Sequence, residues 1–232
     1  MRYVLKNKPK SPTILEGFPG FGLVGTIVTE FLIKHLDAKQ IGFVRMEEVP
    51  PIIAVHKGEA IEPLGIFYAK KHNLVILHAL TNVQGYEWDI AEVLKKIANE
   101  LKAKEVISVE GVGSEGAVNK KPRVFFMGGK KKFDIKGIDP MKDGIIIGVT
   151  GALLLAKDLN VTSIFAETHS ALPDSRAAAR VIETLDKYLK LGVDYKPLIE
   201  KAEKFESNLK NIISKSKEVV VAGDKKRQSY FG

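Results

Sequence analysis

Val24, Ile27, Val28, Phe31, Leu32, His35 and Leu36 recur at intervals of three and four residues, which predicts a helix with one apolar face three turns long. That face is expected to pack on a sheet. Before it, the apolar residues from Thr13 predict a short strand, and strand and helix are joined by a loop holding Gly17, Pro19, Gly20, Gly22 and Gly25. Residues 41–46 read as the next strand, and Pro50 and Pro51 break the run that follows. Residues 52–56, 65–69 and 74–80 are short β-type segments. The polar stretch 70–73 predicts a hairpin turn, hence antiparallel strands in this part of the sheet. A polar loop over 81–85 leads into a helix with Ile90, Val93, Leu94, Ile97, Ala98 and Leu101 on one face.

Residues 106–109 predict a strand that ends at Glu110 and a second glycine loop, GVGSEG. Further on, 123–127 read as a strand in a basic hairpin turning at Gly128 and Gly129, and 144–148 as an apolar strand or loop. Residues 150–159 predict a short helix buried nearly all round, and 161–166 a strand ending in Glu167, Thr168 and His169. Asp174 is placed to cap a helix carrying Ala178, Val181, Ile182, Leu185, Tyr188 and Leu189, with Gly192 at its end. Strands alternating with helices predict an α/β chain: a three-layer sandwich over residues 1–195 around a mixed, largely parallel central sheet. Residues 196–222 form a helical appendage, in which Pro197 opens a helix and Leu198, Ala202, Phe205, Leu209 and Ile212 make a narrow stripe. It packs on a partner subunit or on its own domain. Residues 223–232 lack apolar periodicity and are expected to be a flexible tail.

Composition narrows the chemistry. With no cysteine in 232 residues, disulfides, thiolate metal sites and a cysteine nucleophile are excluded. Five scattered histidines form no ligand-spaced pair, so no metal is expected. No apolar run is long enough for a membrane span, and MRYVLKNKPK lacks a signal peptide's apolar stretch, so a cytoplasmic protein with no membrane partner is expected. The net charge of +8 is concentrated in residues 120–136 and in Lys225, Lys226 and Arg227. A Lys-rich, cysteine-free surface of this kind fits heat adaptation, and nucleic acid is not expected as a partner.

Gly20, Gly22 and Gly25 spell GxGxxG between a strand and a helix, the setting of a dinucleotide fingerprint, with Glu47 or Glu48 available as the ribose acid. The inserted Gly17-Phe18-Pro19 displaces the motif from the strand end, and the same spacing recurs at Gly111, Gly113 and Gly116 without a helix. The loop is thus a binding site or a tight packing corner, and no dinucleotide cofactor is expected. Glu110, Glu167 and His169 follow strands whose carboxyl ends border the ligand crevice of an open α/β sheet. With Asp174 they supply general acid–base groups, or else they cap strand and helix ends. His35 and His78 read as packed residues. No Ser-His-Asp order, GxSxG elbow or Walker loop is present. The chain closes on Tyr230, Phe231 and Gly232, where two rings beside a carboxylate form a compact anchor for a partner's pocket.

The segment LEGFPGFGLVG at 15–25, with GVTGALLLAKDL at 148–159 and AETHSALPDSRAAA at 166–179, resembles the proteasome assembly chaperone family, in particular archaeal homologues of its second type. The resemblance spans roughly residues 10–220. It implies a phosphorylase-like fold, self-association into a homo-oligomer and ATP-independent binding to proteasome core α-subunits during assembly, with a paralogous chaperone as a further partner. Some such chaperones resemble proteasome activators in ending with a hydrophobic residue, a tyrosine and any last residue. Tyr230, Phe231 and Gly232 occupy those places, with Phe231 keeping the ring and lacking the hydroxyl. A non-enzymatic chaperone or scaffold is therefore expected. The alternative is a protein or enzyme that takes a nucleoside- or phosphate-bearing ligand at the strand ends.

Overall fold

The computed structural model describes residues 1–47, 53–56, 59–113, 121–129, 135–168 and 172–200. In chain order the elements are β1 (Arg2–Leu5), β2 (Thr13–Gly17), a 3-10 turn (Phe21–Leu23), α1 (Val24–His35), β3 (Lys39–Arg45), β4 (Ala54–His56), β5 (Glu59–Ile61), β6 (Leu64–Ala69) and β7 (Leu74–Ala79). There follow α2 (Glu87–Leu101), β8 (Glu105–Gly113), β9 (Val124–Gly128), β10 (Asp139–Pro140), α3 (Gly148–Leu155), β11 (Val161–Thr168), α4 (Ser175–Leu189) and α5 (Lys196–Glu200). Among the described residues nine strands make one sheet in the order β1-β3-β6-β7-β2-β8-β11-β9-β10, and β4 pairs with β5 apart from it.

The four central strands β7, β2, β8 and β11 run parallel. They carry the most continuous apolar runs, and β7 and β11 are buried at every position, as strands covered on both faces must be. On one side β6, β3 and β1 continue antiparallel, and on the other β9 runs antiparallel to β11. The parallel character expected of the sheet is therefore confined to its centre and to the short β9–β10 pair. The turn predicted at 70–73 joins β6 to β7 through Asn73 in the left-handed region. β1 escaped the sequence reading because its four residues are only alternately half-buried, with no core face to betray them.

Helices cover both faces, giving three layers. On one side α1 and α4 pack together over Leu15, Ile76, Ile107 and Ile164. On the other, α2 and α3 pack over Ile14, Val75, Leu77 and Val106. The inward positions of α1 are those predicted, Val24, Ile27, Val28, Phe31 and Leu32, each at most 5% exposed. His35 is instead exposed, its ring stacked on Phe31 at 3.7 Å. Asp174 caps α4 by accepting the Ala177 N–H at 2.9 Å. α4 ends at Leu189 through Lys190 in the left-handed region, two residues before Gly192.

The strand expected at 123–127 is β9, which among the described residues pairs in parallel with β10 and antiparallel with β11; the return arm of the expected hairpin, beyond Gly129, lies outside the described residues. β8 runs on to Gly113, so the glycines at 111 and 113 belong to a strand. The segment 144–147, read as strand or loop, is a loop with Ile145 91% and Ile147 73% exposed, whereas the helix after it spans Gly148–Leu155 rather than 150–159. Gly148, at φ +80, turns the chain into that helix, and Ala156 leaves helical geometry at its end. Val149, Thr150, Ala152 and Leu153 face inward while Leu155 is exposed, so only one face of α3 is buried. α5 docks Leu198 on the α4 side of the core, and the remainder of the stripe, from Ala202 to Ile212, lies outside the described residues.

Candidate functional site

β2, β8 and β11 end side by side, and their carboxyl ends line a crevice of about 1150 Å3. Strand pleat decides which side chains reach it, since alternate residues share a face. Ile14, Val106 and Val161 pack towards α2 and α3, so Glu16, Ser108, Glu110, Ser163, Phe165 and Glu167 point the same way. Cross-strand register sets Glu16 beside Ser108 and Glu110 beside Phe165. The loop after β2, the start of α3, and Arg123 form the walls.

The glycine loop is shaped by backbone contact. A Cβ on Gly17 would stand 2.3 Å from the Gly25 carbonyl oxygen, and one on Gly25 would stand 2.5 Å from that of Val109. No side chain fits where strand, helix and neighbouring strand touch. A Cβ on Gly20 would lie 3.2 Å from Glu110 Oε1, so the loop rests on that carboxyl. Gly22 adopts φ +64, and its carbonyl accepts the Asp174 N–H at 2.9 Å, while Asp174 Oδ2 accepts the Thr168 hydroxyl at 2.9 Å. The loop is thereby tied to the start of α4. Gly22, Leu23, Val24, Gly25 and Thr26 are all buried. The position at which a pyrophosphate would meet the N-terminus of α1 is filled by protein.

Two carboxyls are linked through two hydroxyls. Glu16 is 1% exposed and hydrogen-bonded to Ser108; Ser108 Oγ is 2.8 Å from Thr150 Oγ1; Thr150 bonds Glu110. A hydroxyl has one hydrogen to give. If Thr150 donates to Glu110, Ser108 must donate to Thr150, and Glu16 completes the chain only by donating a proton of its own. The reversed chain needs the proton on Glu110. One carboxyl of the pair is thus held neutral, in keeping with their surroundings: burial, with the neighbouring Glu110 adding to it, pushes Glu16 up to about 8. Burial likewise pushes Glu110 up to about 7, against the Thr150 hydrogen bond. One oxygen of each acid, Glu16 Oε1 and Glu110 Oε2, is buried without a hydrogen-bond partner.

Around this pair the described lining holds six acids, Glu16, Glu87, Glu110, Asp139, Asp143 and Glu167, against two cations, Arg123 and Lys142. Glu167 meets Arg123 through a forked pair, Nη2 to Oε1 at 2.6 Å and Nε to Oε2 at 3.0 Å, and the Arg123 guanidinium lies 5.3 Å from the Phe125 ring centroid. Of the residues the sequence nominates, Glu110 therefore enters the crevice and Glu167 stands at its rim in an ion pair. His169, Tyr230, Phe231 and Gly232 lie outside the described residues. His78 is on the opposite face under α1, with Thr29 Oγ1 2.8 Å from its Nδ1 and Glu30 3.2 Å from its Nε2. Glu16, Ser108 and Thr150 went unnominated. The signal for Glu16 was its two-residue offset from Ile14, which places an acid on a core-facing strand position. Among the described residues there is no group of three or more His, Cys, Asp or Glu able to hold a metal ion, and no helix long and apolar enough to cross a membrane.

Comparison with known proteins agrees with the fold. The chain is similar to crystal structures of Pyrococcus furiosus PbaA, an archaeal homolog of proteasome-assembly chaperone. In one form the TM-score is 0.83 at 31% identity, covering 94% of this chain and 98% of that one. It is also similar to P. furiosus PbaB, an archaeal proteasome activator, with a TM-score of 0.74 at 22% identity over 91% of this chain and 98% of that one, a likeness of fold. An uncharacterized protein of Methanocaldococcus jannaschii is 29% identical over 221 residues, 91% of this chain and 90% of the relative. The PAC2 family profile matches residues 14–213, from the strand that carries Glu16 through all the described helices, and the chain belongs to the PAC2 family.

Proposed function

We propose that this protein is an ATP-independent chaperone or scaffold of proteasome assembly, a non-enzyme that works in the cytoplasm as a homo-oligomer. The carrying observation is its likeness to PbaA, at 31% identity over 94% of the chain, together with membership of the PAC2 family. Its partners are proteasome α-subunits and further copies of itself, with a paralogous chaperone as a third. Core and appendage divide at 195, the appendage of 196–222 rests on its own core through Leu198 and offers the rest of its stripe to a partner, and Tyr230, Phe231 and Gly232 dock in a pocket on the α-subunits. Several tails on one oligomer raise avidity by ~100-fold or more over a single tail.

Surface plasmon resonance on immobilised α-subunits tests this directly. Removing residues 230–232 is expected to leave oligomerisation intact and to lower affinity sharply. Phe231→Ala should reproduce most of that loss, and Phe231→Tyr should preserve or strengthen binding. Light scattering should give at least twice the 25.6 kDa chain mass. A monomer that captures no α-subunit refutes the proposal, and unchanged affinity after truncation removes the tail from it.

A further inference from the structure

We propose that the crevice at the ends of β2, β8 and β11 is a binding site for an organic cation, whose alkylammonium or guanidinium group seats between Glu16 and Glu110. This assignment is independent of the chaperone role. Three observations converge. One oxygen of each acid is buried and unpartnered, Glu16 itself is 1% exposed, and both residues line the crevice, so uncompensated acceptors stand at its wall. The described walls carry six acids against two cations in a chain whose net charge is +8, so acidity is concentrated here against the trend of the whole molecule. At the mouth, Phe21 is 41% exposed and Ile145 and Ile147 more so, surfaces against which a methylene stem can lie.

The same features decide between classes of ligand. A phosphate would meet this acid excess with Arg123 already committed to Glu167. A bare metal would need more ligands than the two central acids provide, and the described residues hold no cluster of three. An ammonium or guanidinium needs neither. It donates several hydrogen bonds from one charged group, which suits two separate carboxyl oxygens.

Proton balance makes the site testable. In the free protein the two carboxyls hold a proton that the Ser108–Thr150 chain can present to either end. A cation favours the state in which both are ionised, so the proton leaves to solvent as the ligand enters. With Glu16 at about 8 and Glu110 at about 7, between about one and one and a half protons are released at pH 7 and almost none at pH 9. The other titratable groups facing the cavity are Glu87 from α2, Asp139 from β10, Lys142 and Asp143 from the following loop, and the paired Arg123 and Glu167.

Isothermal titration calorimetry with agmatine, which stays charged throughout, is run from pH 6 to 9 in buffers of differing ionisation enthalpy. A blocked hexapeptide with one lysine between apolar residues forms a second arm, its lysine-acetylated form the control. Affinity is expected to rise at least ~10-fold from pH 6 to pH 8, with the stated proton release. Glu16→Gln and Glu110→Gln should each weaken binding ~10-fold or more and flatten its pH dependence, while Glu100→Gln, away from the crevice, leaves it unchanged. Circular dichroism melts establish that each variant is folded, and two separate variants guard against loss of one. Saturation by agmatine identifies a free small cation, and saturation by the peptide alone identifies a side chain presented by another protein; either supports the site. No saturation by either probe at ~10 mM, binding indifferent to both substitutions, or inorganic phosphate binding in their place overturns it.

Discussion

Replacing Glu16 by glutamine should make the protein more stable in base and change it little in acid. In the folded chain burial moves this carboxyl from its ordinary 4.5 to about 8, a difference worth about 5 kcal/mol once both states are fully ionised. The unfolded chain releases the proton near pH 4.5 while the folded chain keeps it, so stability is intact below that pH and is lost as the pH rises through 8. The cost is under about 1 kcal/mol at pH 5 and approaches about 5 kcal/mol at pH 9. Glutamine carries no charge at either pH, and its amide N–H donates to Ser108 as the protonated carboxyl does. The wild-type minus variant difference should therefore change by about 4 kcal/mol between pH 5 and pH 9, or about 8 to 16 °C in Tm for a domain of this size. Glu110 shares the proton through Ser108 and Thr150, so the double variant should gain less than the two single gains added together. Urea titrations followed by circular dichroism at pH 5 and 9 measure this, and the difference between the two proteins cancels titrations elsewhere in the chain. Parallel pH profiles for wild type and Glu16→Gln would refute the buried, proton-sharing pair.

Much of this architecture was legible because its elements bury one face. α2 and α4 write helical periodicity into the sequence, and β7 and β11 are apolar runs of strand length. The sequence was least legible where partners decide the outcome. The GIIIG stretch at 144–148 left strand and loop open, and among the described residues no strand pairs with 144–147, which are irregular with Ile145 and Ile147 exposed. Val124–Gly128 reads as half a hairpin because Gly128 and Gly129 resemble a turn, and the sequence gives no sign of its ladders with β10 and with β11, some thirty-five residues on. The candidate site follows the same rule. Glu110 was found from its position at a strand end, but Glu16 was absorbed into the glycine motif beside it. Ser108 carries no signal of its own within the apolar strand 106–109. Only the parallel register that sets Glu16 beside Ser108, and the packing of α3 that brings in Thr150, join them into one chain of hydrogen bonds.

The remaining predictions test the corner and the floor of the same crevice. Gly17→Ala should cost about 3 kcal/mol or more, since its Cβ meets backbone at 2.3 Å, whereas Gly85→Ala, in open space at φ +89, should cost about 1 to 2 kcal/mol of backbone strain; equal losses in denaturant midpoints would disprove the contact. Asp174→Ala removes the α4 cap and the acceptor of the Thr168 hydroxyl, and should lower stability by about 2 kcal/mol, or about 4 to 8 °C in Tm. NADH, NADPH and FAD should show no saturable binding by fluorescence titration. The reason is specific to this loop: a pyrophosphate needs free N–H groups at a helix start, and here Leu23 to Thr26 are buried, with Gly25 seated against the Val109 carbonyl. The inserted Gly17-Phe18-Pro19 has carried the glycines off the strand end and into the packing between β2, α1 and β8, so the motif serves contact rather than ligand. Saturation below ~100 µM, a binding free energy near −5.5 kcal/mol, would require that packing to open and would refute the reading.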